Sequence, residues 1–370
     1  MRVLKNILIS VVVVAALGFA SGCVVLHMKV FGSNPEGARL ERIEKSPQYQ
    51  DGIFVNPIET PMMAEDASYL KMLYGFFKPS KEKQPQQTLP SITRNLPVAT
   101  DQPTLTWFGH SSYLIQAQGK NFLMDPVFSG YAAPFSFAGP GAYPGTNHYQ
   151  IGNLPPIDYV MISHDHYDHL DYETILQLKD QKTRFIVPLG VGAHLERWGI
   201  ALSRITELDW WEKVQVDADF ELIATPARHF SGRGLDRGKT LWASFVLRSK
   251  DLNLYLGGDS GYGPHFRAIG DAYGPFDLAL LECGQYNPMW PYIHMMPEEV
   301  VLAANDLHAK VLQPVHWAKF TLSLHPWKEP VTRVSKAAME RNLPLCTPMI
   351  GEAVLLKRQY PNHWWWVALM

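Results

Sequence analysis

An α/β fold, with mixed β-sheets carrying helices on their outer faces, is the class this sequence predicts, and three observations predict it. From about Thr104 onward, apolar stretches of strand length alternate with stretches of helical length, the pattern of a layered domain. The 370-residue chain is 46% hydrophobic and 18% charged, a globular balance with ample length to bury a core. Side chains able to hold a metal stand just past the ends of several apolar strands, where a sheet presents its functional loops.

Taken in order, the chain opens on a targeting segment. Arg2 and Lys5 precede an apolar run from Ile7 to Ala20, too short to span a bilayer comfortably and ending in small residues. The string Ala20-Ser21-Gly22-Cys23 resembles a bacterial lipobox. It implies a signal peptide over residues 1–22 and a lipid anchor on Cys23. With Val24 rather than Asp next, it implies a cell-envelope lipoprotein of the outer membrane, facing the periplasm. An uncleaved anchor or an ordinary signal peptide is the alternative, and each exports the body of the chain. Residues 23–100 are rich in Pro, Gln, Lys and Ser. They read as a tether and an irregular arm laid on the main domain, with one helix over Ala64 to Phe77 and no visible chemistry.

The folded domain is expected over residues 101–357. Leu105 to Phe108, Ser112 to Ala117 and Asn121 to Met124 read as an antiparallel meander that stops at Asp125-Pro126. A long loop from Phe128 to Tyr149 follows, and its Phe135, Phe137, Tyr143 and Tyr149 suit a substrate-facing wall. Asp158 to Ser163 is the next strand and Leu170 to Lys179 a helix. Then come strand Arg184 to Val187, helix Val191 to Trp198, and strands Phe220 to Thr225, Leu241 to Leu247 and Asn253 to Leu256. Helix His265 to Tyr273, strand Leu278 to Leu281, helix Pro297 to Leu307 and strand Val311 to Pro314 complete the pattern. Residues 358–370 form an aromatic tail whose Trp364-Trp365-Trp366 suits a lipid interface or the core. Cys283 and Cys346 could pair, but one bridge is no framework for so large a domain, and two buried thiols are the favoured reading.

Between strand and helix, residues 162–171 read Ile-Ser-His-Asp-His-Tyr-Asp-His-Leu-Asp, which brings His164, His166, Asp168 and His169 close together. In an extended loop His164 and His166 project to one side. Asp168 and His169 follow as the chain turns, so two pairs of donors can face two neighbouring ions. Imidazole and carboxylate suit zinc and similar first-row ions. His229, Asp259 and His316 each follow an apolar strand, Asp259 after Gly257-Gly258, where backbone can approach closely. His110 either reaches the same site or, as the favoured reading, is hydrogen-bonded across the meander, and His148 is equally open.

The series His164-x-His166-x-Asp168-His169, His229, Asp259 and His316 resembles the seven ligand positions of the metallo-β-lactamase superfamily, over about Leu105 to Leu356. The resemblance implies an αβ/βα sandwich of two mixed β-sheets with the metals at one edge. It implies that His164, His166 and His229 hold one zinc ion, that Asp168, His169 and His316 hold a second, and that Asp259 bridges them. Another first-row divalent metal could replace zinc. Asp125 resembles the strand-end Asp that lies behind the metals and orients a ligand. The phrases Thr106 to Ser112, Asp125 to Phe128, Gly258 to Tyr262 and Val315-His316-Trp317 look like a particular branch. That branch includes N-acyl-phosphatidylethanolamine-hydrolysing phospholipase D and the RomA-like bacterial outer-membrane proteins.

Membership there implies a phosphodiesterase of phospholipase D type, acting on a phospholipid through a hydroxide shared by two metals. Asp168 would handle the proton of the nucleophile, and His294 would bind a phosphoryl oxygen or assist the leaving group. A lactonase or esterase of the same superfamily is one alternative. A non-catalytic metal-binding lipoprotein of the envelope is another. Asp259 in the bridging place departs from the strict zinc lactamases, where a Cys takes a ligand position. A net charge of −2 with no block of Lys and Arg argues against a nucleic-acid groove.

Overall fold

Each strand-forming run carries an apolar face that must leave water, and two sheets packed face to face satisfy that demand. In this computed structural model, which describes residues 25–98, 100 and 102–369, the arm contains α1 (Gly37–Ile43), β1 (Tyr49–Gln50), β2 (Ile53–Phe54) and α2 (Tyr69–Phe77). Next are β3 (Thr104–Trp107), β4 (Tyr113–Ala117), β5 (Lys120–Met124), β6 (Tyr159–Met161), α3 (Tyr172–Gln177), β7 (Arg184–Pro188) and α4 (Gly192–Arg197). They are followed by β8 (Ile205–Leu208), β9 (Lys213–Gln215), β10 (Glu221–Thr225), β11 (Ser244–Arg248), β12 (Asn253–Leu256) and α5 (His265–Tyr273). The chain ends with β13 (Leu278–Glu282), α6 (Pro297–Asp306), β14 (Leu312–Val315), α7 (Glu329–Glu340) and β15 (Ala353–Leu355). The expected signal peptide and the expected lipidation site, Cys23, lie outside the described residues. Among the described residues no helix is long and apolar enough to cross a membrane.

One sheet has the strand order β15-β3-β4-β5-β6-β7-β8 and the other β14-β13-β12-β11-β10-β9. Each is antiparallel on one flank and parallel on the other: β15 to β5 and β9 to β12 alternate, while β5 to β8 and β12 to β14 run together. Parallel neighbours need crossover connections, and helices supply several of them. The main core lies between the sheets, around Trp107, Tyr113, Phe122, Phe220, Phe245 and Tyr255. A second cluster, including Leu123, Val160, Ile175, Phe185 and Leu195, packs α3 and α4 on the outer face. This is the αβ/βα sandwich that the sequence predicted. Its consequence is directional: β3, β5 and β6 of one sheet, and β10, β12, β13 and β14 of the other, all end at one edge.

Several elements differ from expectation for physical reasons. The helix after the His-rich loop starts at Tyr172 because Asp171 caps it, accepting from Glu173 N at 3.2 Å. The strand expected from Leu241 starts at Ser244, since Ala243 N is spent on Ser163 O (2.9 Å) rather than on a ladder partner. The arm, by contrast, lies on the main domain as expected: Arg39 pairs with Glu196 and Glu207 at 2.6 and 2.7 Å, and buried Arg233 donates to Val30 O at 3.0 Å. The tail turns into the core, with Trp366 buried and Trp365 stacked on Trp317 at 5.2 Å. Cys283 and Cys346 are separate buried thiols, the favoured reading of the sequence.

Candidate metal centre

The loop after β6 is held from behind before any donor is aimed. Asp125, buried at the end of β5 with φ +39°, accepts from Ser163 N (2.7 Å), Ser163 Oγ (2.6 Å) and His169 Nδ1 (2.7 Å). A carboxylate only accepts, so His169 carries its proton on Nδ1 and turns the Nε2 lone pair into the site. With its own proton committed to Asp125, Ser163 Oγ accepts from His164 Nδ1 (2.9 Å) and sets that tautomer in the same way. One buried carboxylate thereby orients two imidazoles. His229 Nδ1 donates to Ile293 O (2.8 Å), which again frees Nε2.

The freed atoms converge. His166 Nδ1 lies 2.8 Å from His164 Nε2 and 3.3 Å from His229 Nε2. Across the site, Asp168 Oδ2 is 3.4 Å from His169 Nε2 and 4.0 Å from His316 Nε2. Asp259 stands between the two groups: Oδ2 is 3.3 Å from His169 Nε2, 3.8 Å from His229 Nε2 and 3.9 Å from His164 Nε2, and Oδ1 is 3.2 Å from His316 Nδ1. All seven residues singled out in the sequence therefore fall into overlapping groups of donors that could hold metal, with His166 and Asp168 half-buried and the other five buried. His110 joins them. Its ring, favoured above as a meander contact, donates to Asp168 Oδ2 at 2.9 Å, because φ +52° at this residue turns the side chain into the site.

Burial holds His164, His229 and His316 well below the usual imidazole range, so these rings stay neutral, the form that ligates. Burial pushes the Asp168 and Asp259 carboxyls up, but the neighbouring rings outweigh it and hold both well below the carboxylate range. Foremost is His169, whose proton burial disfavours but Asp259, Asp168 and Asp125 hold well above the imidazole range, and a cation at Nε2 would replace that proton. Among the described residues, buried His169 Nε2 and Asp259 Oδ1 have no hydrogen-bond partner. Unpaired buried acceptors of this kind are costly, and crowded nitrogen lone pairs repel unless a cation lies among them. Nitrogen and carboxylate oxygen without sulfur suit first-row divalent ions, so the residues present fit metal.

Glu282, the last residue of β13, accepts from Ser260 N (3.0 Å), Met295 N (3.3 Å) and His294 Nδ1 (2.9 Å). Glu282 is not among the residues singled out in the sequence, although a Glu inside the apolar run Leu280-Leu281-Glu282-Cys283 signals that something must satisfy a buried charge. Burial lowers the His294 ring, yet the facing Glu282 carboxylate outweighs this and raises it to about 9. His294 thus comes to the site, 4.0 Å from Asp259 Oδ2, as a donor.

The cluster floors a cleft of about 330 Å³. Phe230, Trp290, Ile293 and Leu322 form part of its wall, Met62, Met63, Tyr69 and Met72 of the arm form another part, and Arg237 and Gln285 add polar groups. The arm, where no chemistry was visible in the sequence, therefore borders the site. The loop from Phe128 to Tyr149 does not. Asp171 accepts from Phe128 N and Ser129 N (3.1 and 2.9 Å), and Tyr143 OH meets Thr321 Oγ1 (2.8 Å), so the loop is pinned at both ends. Its Phe135 packs edge-on to Phe31 (centroids 6.0 Å apart) at a separate cleft shared with Met28 and Tyr167.

Similarity to known proteins agrees with this geometry. The profile of the beta-lactamase superfamily domain matches residues 120–317. An uncharacterised protein of Mycobacterium tuberculosis is 42% identical over 330 residues, which cover 87% of this chain and 88% of that protein. N-acyl-phosphatidylethanolamine-hydrolyzing phospholipase D 1 of Caenorhabditis elegans is 32% identical over 258 residues, 66% of this chain and 72% of the relative. The outer membrane protein RomA of Klebsiella pneumoniae is 60% identical over a shorter stretch of 91 residues, 25% of this chain and 69% of RomA. With a profile spanning more than half of the chain, relatives matched over 88% and 72% of their length and the expected sandwich, the chain belongs to the beta-lactamase superfamily of metallo-hydrolases.

Proposed function

We propose that this chain is a binuclear metal-dependent phosphodiesterase of phospholipase D type, acting on a phospholipid similar to N-acyl-phosphatidylethanolamine. The observation that carries the reading is the cleft: metal donors at its floor and an apolar wall of Met62, Met63, Tyr69 and Met72 that suits acyl chains. Similarity to the nematode phospholipase supports the phosphodiester part. His164, His166 and His229 would hold one ion and Asp168, His169 and His316 the other, with Asp259 shared, and zinc suits this donor set. Bound there, two such ions supply Lewis acidity and a water of lowered pKa.

The chain's own residues supply the proton handling. Asp168, tethered by His110, takes the proton that the attacking water gives up. His294, with Nδ1 held by Glu282, has Nε2 left to donate to the oxygen that leaves phosphorus. A bond from water oxygen to phosphorus forms as the bond from phosphorus to the headgroup oxygen breaks, and phosphatidate and an N-acylethanolamine result. Cys23 would anchor the mature chain to the envelope, and similarity to RomA supports an outer-membrane setting.

The test incubates the purified mature protein with N-acyl-phosphatidylethanolamine vesicles in ¹⁸O-labelled water. Phosphatidate carrying a water-derived oxygen, and its loss with a chelator, are expected. Opening of an acyl lactone with no phosphorus product would replace this reading with the lactonase one. Inertness toward both substrates in metal-loaded protein would leave the binding lipoprotein.

A further inference from the structure

Helix α2 reads Tyr-Leu-Lys-Met-Leu-Tyr-Gly-Phe-Phe, and none of its nine residues is buried. Leu70 and Phe77 are 79% and 78% exposed, Tyr69 and Tyr74 67% each, and Leu73 51%. A helix lying on a soluble protein normally turns such residues inward, and a contiguous apolar surface of this kind marks an interaction site. Its exposure does not come from loose attachment. Phe76 stacks parallel to Trp290 with centroids 6.4 Å apart, Gly75 lets Leu324 approach where a Cβ would sit, and Lys83 Nζ donates to Gly75 O and Lys78 O. One side of the helix is bolted to the domain, and the other is a fixed apolar surface.

Two observations select what covers it. Tyr69 and Met72 also line the cleft above the donor cluster, so the surface and the site are continuous. From Tyr69 to Lys81 the chain carries exposed Lys71, Lys78 and Lys81 and no acid. Lysines rimming an apolar helical face are the pattern of a helix lying in a lipid interface, where stems snorkel and ammonium groups meet anionic headgroups. Exposed Glu65, Asp66 and Glu82 flank this stretch, but within it a second copy of the chain offers no acid to meet the lysines.

We propose that α2 is a docking helix that seats this face of the protein on an anionic phospholipid surface, so that lipid enters the cleft without crossing water. The proposal rests on the phospholipid reading of the site. To test it, Leu73→Cys and Lys250→Cys are each introduced into the full mature chain and labelled with an environment-sensitive fluorophore. Lys250 is exposed and precedes β12, whose other end carries Asp259. Cys283 and Cys346 are buried, and the parent chain treated identically sets the background.

On vesicles of phosphatidylglycerol and phosphatidylethanolamine the probe at residue 73 should shift to the blue and brighten about twofold or more, while the probe at 250 stays unchanged. Phosphatidylcholine vesicles and added salt should weaken the response. No change at 73, or equal change at both positions, overturns the proposal. So does a probe at 73 that is already shielded without vesicles in a chain that sediments as a dimer. Product release is scored separately: docking without phosphatidate defeats the substrate reading, and phosphatidate without docking defeats this one.

Discussion

Asp125 touches no part of the cleft, yet through Ser163 and directly it decides which nitrogen of His164 and His169 faces the donor cluster. Asp125→Asn keeps the shape but sets an amide against the N–H of His169. Metal affinity should fall about 10- to 100-fold, as for other orienting partners of ligands, measured by competition with a chromophoric chelator. Unchanged affinity would remove the orienting role. Asp259→Ala should lose metal and activity together, because Asp259 alone stands between both groups of donors. His294→Ala should keep its metal while turnover drops about 10²- to 10⁴-fold, the range for a lost general acid. Elemental analysis alongside rates separates the two variants, and loss of metal from His294→Ala would mean that His294 is a ligand.

At the scale of elements, the site depends on how closely the strand-end loops approach one another. Gly261, two residues past Asp259, has no room for a side chain: a Cβ there would fall 1.9 Å from Tyr292 O. Gly261→Ala must push back the segment that carries His294, so we expect about 1–3 kcal/mol of lost stability in urea and a fall in turnover larger than any loss of metal. Parental stability and rate in this variant would show that the contact is not tight. The strands that end at the site were legible in the sequence because both faces are buried, which makes each a nearly continuous apolar run stopping at His or Asp. Elements at the margins were not. β8 and β9 are half-exposed and mix polar with apolar residues, β15 is three residues long, and α7 opens on Glu329-Pro330, which looks like a break although Pro is welcome in a first turn. The turn at His110 and the wall formed by the arm depend on partners distant in sequence, such as Trp290 beneath Phe76, and no local pattern records them, whereas Glu282 leaves a local trace as a charge inside an apolar run.

At the scale of the molecule, the two sheets must stay in register at the edge where their loops share the proposed metal donors, and Lys319 is a clamp across that edge. It follows β14 of one sheet, and its buried ammonium donates to Phe108 O (3.3 Å) and Val127 O (2.9 Å), just beyond β3 and β5 of the other. Burial lowers the Lys319 pKa to about 7, with Asp171 offsetting only part of the effect. In the unfolded chain the same amine keeps its proton to roughly pH 10.4. Between these limits the unfolded state binds more protons than the folded one, so raising the pH favours folding; below about 7 both states are charged and the cost of burying the ammonium is fully felt. Lys319→Met retains the length of the side chain and removes the titration, at the loss of two hydrogen bonds. The difference in urea midpoint between the parent and Lys319→Met should therefore move in favour of the parent as pH rises from about 7 to 9.5, with metal saturating throughout. Other groups titrate in this range, but they are common to both chains and cancel in the difference. Midpoints that run parallel across the range would mean that Lys319 stays charged in the folded protein, and that the clamp is an ion held by two carbonyls rather than a neutral amine.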